Sequence, residues 1–255
     1  MDQTQNAPLV SVITPSFNSE NEILDCYHTL LNQTFCDWEW LVTDDASSDL
    51  TPSILADIAD RDVRVRPVIM ATNRGPGPCR NSSMDRAIGR FFAFLDADDL
   101  WHPDKLEIQL KTHMTLGVSF TFTAFTAFRG DIEADGKIID PGPERDFSYD
   151  DMLHKRATLG CSTVMLDRQV VGPLRMLDLR SGQDYAFWLS ILKKGNRARL
   201  IPTPLMHYRI RPGSVSRNKF KKAARQWELY RQVERLPFLR SVGCYFSYVK
   251  NALLR

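Results

Sequence analysis

Hydrophobic and polar positions alternate between two patterns over the first hundred residues. Four short apolar or β-branched runs have the length of strands, at residues 9–14, 38–43, 63–69 and 91–95. The stretches between them carry apolar residues at helical spacing, at about 19–32, 51–59 and 77–88. Strand alternating with helix predicts right-handed βαβ units. The predicted fold is therefore α/β, with a Rossmann-like, mostly parallel central sheet flanked by helices.

The pattern changes after residue 100. Helical spacing continues at residues 102–114, with Pro103 in the first turn, and at 148–156 and 182–195. Residues 118–128 and 161–166 have the pattern of strands, and "ADGK" at 134–137 indicates a turn. We expect the sheet of this second half to be antiparallel or mixed.

The end of the chain differs again, because it is helical and basic from about Arg217. After Pro237, apolar residues at spacings of three and four form one stripe along a helix: Leu239, Val242, Phe246, Val249 and Leu253. The pattern divides the chain into a domain of residues 1–215 and a basic, amphipathic helical tail of residues 216–255.

Charge is unevenly distributed along the 255 residues, whose formal net charge is +2. From Ser216 onward there are ten Lys and Arg against two Asp and Glu, a net charge of +8, so the rest of the chain carries −6. The overall balance argues against a nucleic-acid-binding protein. An acidic body with a basic tail predicts metal and substrate chemistry in the body and an anionic partner for the tail.

The cysteines indicate a reducing compartment. There are five, an odd number, scattered without any Cys-x-x-Cys spacing: Cys26, Cys36, Cys79, Cys161 and Cys244. The first ten residues lack the positive flank and apolar stretch of a secretion signal, and no apolar run reaches membrane-spanning length. We expect a cytoplasmic protein.

Polar residues cluster where each strand of the first half ends. The four clusters are residues 14–18, 43–49, 73–81 and 96–99. Because parallel strands deliver their carboxyl ends to one edge of a sheet, these loops should converge there. The last cluster places three carboxylates, Asp96, Asp98 and Asp99, within four positions, an arrangement that repulsion makes costly unless a cation lies nearby.

Taken in order, these segments resemble a known enzyme family. "SVITPSFN", "LVTDDASSD", "NRGPGPCRN", "AIGRFFAFLDADDLWHPDKL" and "GQDYAFWLSI" are similar to the successive signatures of family 2 glycosyltransferases of the GT-A fold, over about residues 9–210. The tail segment "YRIRPGSVSRNKFKKAARQWELYRQVE" resembles bacterial glycosyltransferases that build teichuronic acid and other surface polysaccharides.

The resemblance implies an activity and an organisation. It implies a metal-dependent, inverting enzyme that moves one sugar from a nucleoside diphosphate sugar, expected to be UDP-linked, to a hydroxyl of a glycan or lipid-linked saccharide. Residues 9–100 would then be the nucleotide-binding half, and residues 101–215 the acceptor half. The processive members carry Gln-x-x-Arg-Trp, and "RQW" at 225–227 lacks the leading Gln, which favours transfer of a single sugar.

Roles for individual residues follow from the same resemblance. Asp98 is assigned to Mn²⁺ or Mg²⁺, and Asp184 to the base that takes the proton of the acceptor hydroxyl. Asp45 is assigned to the ring N–H of the donor base. The other residues assigned to the donor are Pro15, Phe17, Asn18, Asp96 and Ala97.

Two further candidates come from the chemistry of the residues themselves. Arg80 lies beside Gly75 and Gly77 just before a predicted helix, where a guanidinium and a helix N-terminus can meet diphosphate oxygens. His207 is a candidate additional metal or phosphate ligand.

Each candidate has a structural alternative. An acidic loop can cap the helix that begins near Pro103, a task suited to Asp99, and Asp184 can be a helix N-cap. Arg80 can be an exposed helical arginine, and His207 a packed strand histidine. For Asp44, Ser47 and Asp49 we prefer the turn or cap interpretation.

Other functional classes remain open at this stage. Gln183 stands where the family usually has Glu, which leaves a catalytically inactive nucleotide-sugar-binding protein as one alternative. A strand followed by Asp-x-Asp also begins the haloacid-dehalogenase phosphatases, although there it is normally the first strand and here it is the fourth. The tail could be a peripheral anchor on the anionic inner face of the cytoplasmic membrane, a helix packed on the body, or a homodimer contact.

Overall fold

The computed structural model describes residues 7–129, 136–173, 175–179, 182–210 and 219–253. Its strands are β1 Val10–Ser16, β2 Trp38–Asp44, β3 Val68–Ile69, β4 Phe91–Phe94, β5 Leu100–Trp101, β6 Phe120–Phe128, β7 Lys137–Ile139, β8 Asp146–Phe147, β9 Val164–Asp167 and β10 Ala198–Arg209. Its α-helices are α1 Ile23–Leu31, α2 Thr51–Arg61, α3 Pro76–Arg86, α4 Lys105–Leu116, α5 Tyr149–Leu153, α6 Arg168–Val171, α7 Gln183–Leu192, α8 Lys219–Glu228 and α9 Phe238–Leu253. A 3₁₀ turn at Cys161–Thr163 and a π-helical stretch at Leu229–Val233 complete the described elements.

The strands form one sheet in the order β3-β2-β1-β4-β9-β6-β10-β5, with β7 paired to β6 and β8 to β10. Strands β3, β2, β1 and β4 run parallel, as the alternation of strand and helix predicts. From β4 onward the sheet is mixed, because β9 is antiparallel to both β4 and β6 while β10 is parallel to β6. The parallel half therefore presents the carboxyl ends of β1, β2 and β4 at a single edge.

The sheet is buried on both faces. On β1, Val12 contributes to one apolar cluster and Ile13 to the other, and both are fully buried. Trp188 of α7 covers the second face, its ring edge-on to Phe94 with 5.2 Å between centroids. A strand buried on both faces is mostly apolar, and the polar Ser11 of β1 and Glu39 of β2 are buried as a hydrogen-bonded pair (2.6 Å).

Several predicted elements differ from the structure at their ends, among them the strand at 63–69 and the helix at 102–114. The strand predicted at residues 63–69 is reduced to β3, with one isolated bridge between Val65 and Trp40. It is an edge strand, and the arginines on either side of Val65 are engaged in ion pairs with Asp62 and Glu39. The helix predicted at residues 102–114 begins only at Lys105, so Pro103 precedes the N-cap and does not occupy the first turn.

The tail packs on the body through the segment that joins its two helices. The Tyr230 hydroxyl donates to the Leu153 carbonyl (2.5 Å), and Glu234 accepts from both the Tyr149 hydroxyl (2.5 Å) and Lys193 Nζ (3.0 Å). The packed-helix alternative is therefore confirmed for this segment. Residues 211–218, which include the predicted start of the tail at Ser216, lie outside the described residues.

The apolar stripe of α9 is largely uncovered. Leu239 is 83% exposed and Phe246 is 73% exposed, whereas Ser241 and Cys244 on the other side of the helix are buried. Val242 and Val249 are partly exposed, and the side chain of Leu253 lies outside the described residues. Within the described ranges, no helix has the length and hydrophobicity needed to cross a bilayer.

A buried lysine predicts a pH dependence of stability. Lys105 is fully buried, donates to Gln109 Oε1 (2.5 Å) and lies 4.1 Å from the centre of the Trp101 ring, and burial lowers its pKa well below the usual value. In the unfolded chain, Lys105 therefore keeps its proton up to the ordinary lysine pKa of about 10.4. In the folded chain it loses this proton at a lower pH, so between these two pKa values the unfolded chain binds more protons. Relative to a Lys105→Met variant, the wild type should gain up to about 1.4 kcal/mol of unfolding free energy for each pH unit in that window.

Urea unfolding near neutral and mildly alkaline pH measures this difference. Lys111→Met, at an exposed lysine of the same helix, is the matched control and should show no such gain with pH. A pH-independent difference between wild type and Lys105→Met would show that Lys105 is charged in the folded protein.

Candidate active site

The loops after β1 and β2 are joined by hydrogen bonds. The Asp45 backbone N–H donates to the Ser16 carbonyl (2.8 Å). Asn18 binds the second loop twice, since its backbone N–H donates to Ser47 Oγ (2.8 Å) and its Oδ1 accepts from the Ser48 backbone (3.0 Å). The convergence predicted for these two loops is present.

The wall expected to face the donor base has an accessible aromatic ring. Phe17 is 49% exposed at the tip of the first loop, and Asn18 beside it is exposed as well. Pro15 is partly buried in β1, in register with Thr43 of β2. The hydrogen bonds of Asn18 give it a structural task that the sequence did not reveal.

Asp45 holds the third loop in place. Its two carboxylate oxygens accept from the backbone N–H groups of Arg74 and Gly75, each at 2.7 Å, and Asn73 donates to its carbonyl (3.2 Å). Gly75 has φ = 91°, a conformation that favours glycine, and it is the N-cap of α3. Asp45 is buried, so its oxygens bind this loop at the edge of the sheet.

The other acidic residues of the second loop have local tasks, as preferred from the sequence. Asp44 accepts from the Ser47 hydroxyl (2.6 Å) and the Ser47 backbone (2.8 Å), which closes a turn. Asp49 accepts from the backbone N–H of Thr51 at the start of α2 (3.0 Å) and from the backbone N–H of Glu20 (3.1 Å). Burial acts to raise the pKa of Asp49, but these hydrogen bonds outweigh it and the pKa is lowered.

Arg80 joins the third loop to the fourth. It lies on α3 with 3% of its surface exposed, so the exposed-arginine alternative is wrong, and its Nη2 donates to Asp96 Oδ1 at 2.5 Å. Burial disfavours its charge, yet the nearby Asp96 and Asp184 carboxylates raise the pKa of Arg80 overall. Its Nε and Nη1 are buried without a hydrogen-bond partner among the described residues. These N–H groups are suited to an anionic ligand.

The acidic loop presents its three carboxylates differently. Asp96 and Asp98 are partly exposed, with the buried Ala97 between them, whereas Asp99 is buried. Asp99 does not cap α4, whose N-cap is Asp104. Its Oδ2 instead accepts from the Ser162 hydroxyl at 2.5 Å. Burial, and then the charges of Asp96 and Asp98, raise the pKa of Asp99 well above its usual value.

Asp184 lies in the first turn of α7 and shares the electrostatic surroundings of Arg80. The N-cap of α7 is Gly182, at φ = 75°, so the N-cap alternative for Asp184 is wrong. Asp184 is partly exposed, and its charge contributes to the raised pKa of Arg80. The charges of Asp184 and Asp96 therefore both raise the pKa of this buried guanidinium.

Gln183, next to Asp184, packs against the start of α3. It is buried, and its Cγ lies 3.4 Å from the position a Cβ would occupy on Gly77 at the start of α3. A side chain at Gly77 would also approach the Leu177 carbonyl to 3.0 Å. Gly77 thus permits the close contact of α3 with the segment before α7, and the unusual Gln183 is part of that contact.

His207 lies beside the acidic loop. It pairs with Leu100 where β10 is antiparallel to β5. Leu100 directly follows Asp99 in the chain. The His207 Nδ1 is buried without a hydrogen-bond partner among the described residues, and burial, followed by the charge of His102, lowers the pKa of His207. A neutral imidazole is the form in which a histidine can bind a metal ion.

A divalent cation fits these residues only as part of a larger complex. Across the described ranges, no group of three His, Cys, Asp or Glu side chains is arranged to hold a metal ion. The acidic loop offers partly exposed carboxylate oxygens, and His207 offers an unpartnered nitrogen. Mn²⁺ and Mg²⁺ need more ligands than these, which the oxygens of a bound diphosphate can supply.

Together the four loops form one hydrogen-bonded edge. Asp45 links the second loop to the third, and Arg80 links the third to the fourth. The site has exposed carboxylates for a cation, a buried guanidinium and a helix N-terminus for phosphate, and a carboxylate for proton transfer. Ser162 is the residue at this edge that sequence reasoning missed, and no local sequence pattern identifies it.

Comparison with known proteins places this edge in context. A family model described as glycosyl transferase family 2 matches residues 11–170. A Bacillus subtilis (strain 168) protein named as a teichuronic acid biosynthesis glycosyltransferase, TuaG, is 42% identical over 246 residues, 96% of each chain. The Escherichia coli protein WfgD, named UDP-Glc:alpha-D-GlcNAc-diphosphoundecaprenol beta-1,3-glucosyltransferase, is 35% identical over 222 residues, 87% of this chain and 85% of WfgD.

Solved structures share the fold at low sequence identity. S. aureus TarS 1-349 in complex with UDP-GlcNAc superposes with a TM-score of 0.74 at 19% identity, covering 95% of this chain and 72% of that one. The mannosyltransferase PcManGT from Pyrobaculum calidifontis, in complex with GDP-Man and Mn²⁺, gives a TM-score of 0.66 at 18% identity, covering 91% of this chain and 66% of that one. The GT-A fold expected from the sequence is confirmed.

Proposed function

Since the chain belongs to glycosyl transferase family 2 and is a glycosyltransferase, we propose that it transfers a single sugar from a UDP-sugar to a hydroxyl of a glycan or lipid-linked saccharide, with inversion at the anomeric carbon. The phosphatase alternative is excluded by this membership. The nucleotide-binding half is residues 9–100, the acceptor half 101–215 and the tail 216–255.

One observation carries the proposal. The buried Arg80 of α3 contacts Asp96 of the acidic loop directly, and the charge of Asp184, from a distant part of the chain, also raises the pKa of Arg80. A leaving diphosphate held by Arg80 and the acidic loop would have a carboxylate available near the reacting carbon. That is the set of groups that direct displacement of a nucleoside diphosphate requires.

The proton transfer is assigned to Asp184. Its carboxylate takes the proton of the acceptor hydroxyl as the oxygen attacks the anomeric carbon, on the face opposite the departing diphosphate. The bond from the anomeric carbon to the diphosphate oxygen breaks as the new glycosidic bond forms. Attack from the opposite face inverts the configuration of that carbon.

The donor is assigned to the first-half loops. Arg80 is assigned to the diphosphate, and Asp96 and Ala97 to the ribose or the sugar. Phe17, with its exposed ring, lies against the base. Pro15 and Asn18 complete that wall, and Asp45, whose oxygens already accept two backbone N–H groups, accepts a third hydrogen bond from the base.

The cation is assigned to Asp98, with His207 as an additional ligand. When bound, Mn²⁺ or Mg²⁺ would neutralise charge on the leaving diphosphate. The orphaned Nδ1 of His207 next to this loop and the exposed carboxylates support the assignment. PcManGT, a neighbour in fold, was solved with Mn²⁺ and a nucleotide sugar.

The names of two relatives and the character of the tail support a proposal for the acceptor. WfgD is named for action on a diphosphoundecaprenol-linked sugar and TuaG for teichuronic acid biosynthesis, so we infer a surface-polysaccharide acceptor on a membrane lipid. An enzyme with such an acceptor benefits from peripheral binding to the inner face of the cytoplasmic membrane. The exposed stripe of α9 and the basic residues of the tail are suited to anionic lipid.

The membrane assignment predicts a loss of vesicle binding. Replacing Leu239 and Phe246 together by aspartate should lower the affinity for phosphatidylglycerol vesicles, measured by co-sedimentation, at least about tenfold. Each apolar side chain that enters the interface contributes on the order of 1.5–3 kcal/mol to binding. Val63→Asp, at a site 88% exposed on the body, is the matched control and should bind normally. Unchanged sedimentation of the double variant, or a change in its oligomeric state alone, would favour the homodimer.

Donor consumption tests the function itself. The protein is incubated with UDP-, GDP- and dTDP-sugars and Mn²⁺, and release of nucleoside diphosphate is followed with and without a lipid-linked saccharide. We expect turnover with a UDP-sugar, stimulated by the acceptor. Donor binding without any turnover would instead identify the inactive binding protein suggested by Gln183.

A further inference from the structure

A buried serine from a distant part of the chain ties the acidic loop at both ends. Ser162 lies in the 3₁₀ turn before β9 and is fully buried. Its Oγ accepts from the Asp96 backbone N–H (3.0 Å) and donates to Asp99 Oδ2 (2.5 Å). Its carbonyl accepts from the Trp101 indole N–H (2.8 Å). One residue therefore contacts the first and last residues of the loop and the strand that follows.

We propose that Ser162 is a positioning residue, which fixes the acidic loop so that Asp96 and Asp98 face the donor, and that Asp99 anchors this clamp and does not bind the donor or the cation. The inference rests on the proposed function of that loop. It separates three neighbouring carboxylates into two that face the ligand and one that holds the backbone.

The hydrogen-bond geometry explains why a serine is needed. The loop closes on itself, with the Asp99 N–H donating to the Asp96 carbonyl at 3.0 Å. The Ser162 hydroxyl fixes both ends of the loop, because it accepts from the Asp96 backbone N–H and donates to the Asp99 carboxylate. Fixing the two ends orients the residues between them. Alanine can do neither, and its presence would leave the Asp96 backbone N–H and a buried Asp99 carboxylate oxygen without the Ser162 hydroxyl as a partner.

The turn that carries Ser162 is itself held from its far side. Gln109 of α4 donates to the Thr163 carbonyl (3.1 Å), and the same Gln109 accepts from the buried Lys105. The Thr163 hydroxyl donates to the Gly160 carbonyl (2.7 Å), away from the acidic loop. Thr163 is as deeply buried as Ser162, so it offers a control for any general loss of packing.

The test compares Ser162→Ala with Thr163→Val in the full-length protein. For Ser162→Ala we expect about a tenfold rise in donor KM and in the Mn²⁺ concentration for half-maximal rate, with acceptor KM unchanged. Thr163→Val should lose thermal stability to a similar extent but keep both constants near those of the wild type. A merely structural role for Ser162 would make the two variants alike.

Asp99 supplies the second arm of the test. An asparagine at this position keeps an oxygen that can accept from Ser162, so Asp99→Asn should retain donor KM and the Mn²⁺ requirement to within about threefold, whereas Asp99→Leu should behave like Ser162→Ala. Loss of Mn²⁺ activation in Asp99→Asn as severe as in Asp98→Ala would make Asp99 a cation ligand and overturn the inference.

The outcomes distinguish this inference from the proposed function. A wild type that turns over a UDP-sugar, with Ser162→Ala indistinguishable from it, would overturn the positioning role alone. A wild type that neither binds nor consumes any nucleotide sugar would overturn the function, and the role of Ser162 with it.

Discussion

Replacing Asp98 by alanine is expected to reduce sugar transfer by at least about a thousandfold. Asp98 is the partly exposed carboxylate of the acidic loop assigned to the cation, and its neighbour Asp99 is buried and already bonded to Ser162. Without Asp98, the charge that develops on the leaving diphosphate loses the cation that would neutralise it. Initial rates over a range of Mn²⁺ concentrations measure the effect, which excess Mn²⁺ should restore only in small part.

Asp104→Ala is the matched control for Asp98→Ala. Asp104 is a half-exposed carboxylate a few residues further along, and its side chain makes no capping hydrogen bond to α4. Its replacement should leave the rate and the Mn²⁺ dependence unchanged. Transfer by Asp98→Ala at a rate near that of the wild type would refute the assignment of the cation to this residue.

Replacing Asp184 by asparagine is expected to lower kcat by about a hundredfold to ten-thousandfold while leaving donor affinity intact. Asparagine keeps the size and polarity of the side chain but cannot take the proton from the acceptor hydroxyl. Arg80 should remain charged in this variant, because Asp96 still contacts it directly. Donor binding and the Mn²⁺ requirement should therefore stay near the wild-type values.

Steady-state kinetics and a direct binding measurement separate these two quantities for Asp184→Asn. Asp150→Asn, at an exposed carboxylate on α5, serves as the control and should be fully active. If the defect of Asp184→Asn lies in donor affinity, with kcat unchanged, then Asp184 binds the donor and another group is the base.

The parallel half of the sheet could be predicted from the sequence because its information is local. Strands such as β1 and β2 are buried on both faces, so they appear as mostly apolar or β-branched runs, and the topology of parallel strands then dictates which loops share an edge. The edge strand β3 is shorter than predicted. Its β-branched residues have the composition of a strand, but an edge strand has a pairing partner on one side alone.

The parts that could not be predicted depend on contacts between distant segments. Ser162 meets Asp96 across 66 positions, and Asp45 meets Gly75 across 30. The burial of Arg80 follows from the packing of α3 against the segment before α7, which has no periodic signal in the sequence. Local patterns identified the carboxylates of the site, but not the groups that orient them.

The tail illustrates the same difference. Its amphipathic period predicted one apolar face, whereas the structure has two surfaces with different tasks. Tyr230 and the residues near it pack on the body, while Leu239 and Phe246 remain exposed. An apolar stripe in the sequence cannot by itself indicate which surface will be covered.

Calorimetric titration of UDP into the protein, with and without Mn²⁺, tests most directly whether the four loops form a nucleotide-diphosphate site. We expect saturable binding that requires the cation, is lost in Asp98→Ala and is retained in Asp184→Asn. Binding that is equally strong without a divalent cation, or unchanged in Asp98→Ala, would contradict it.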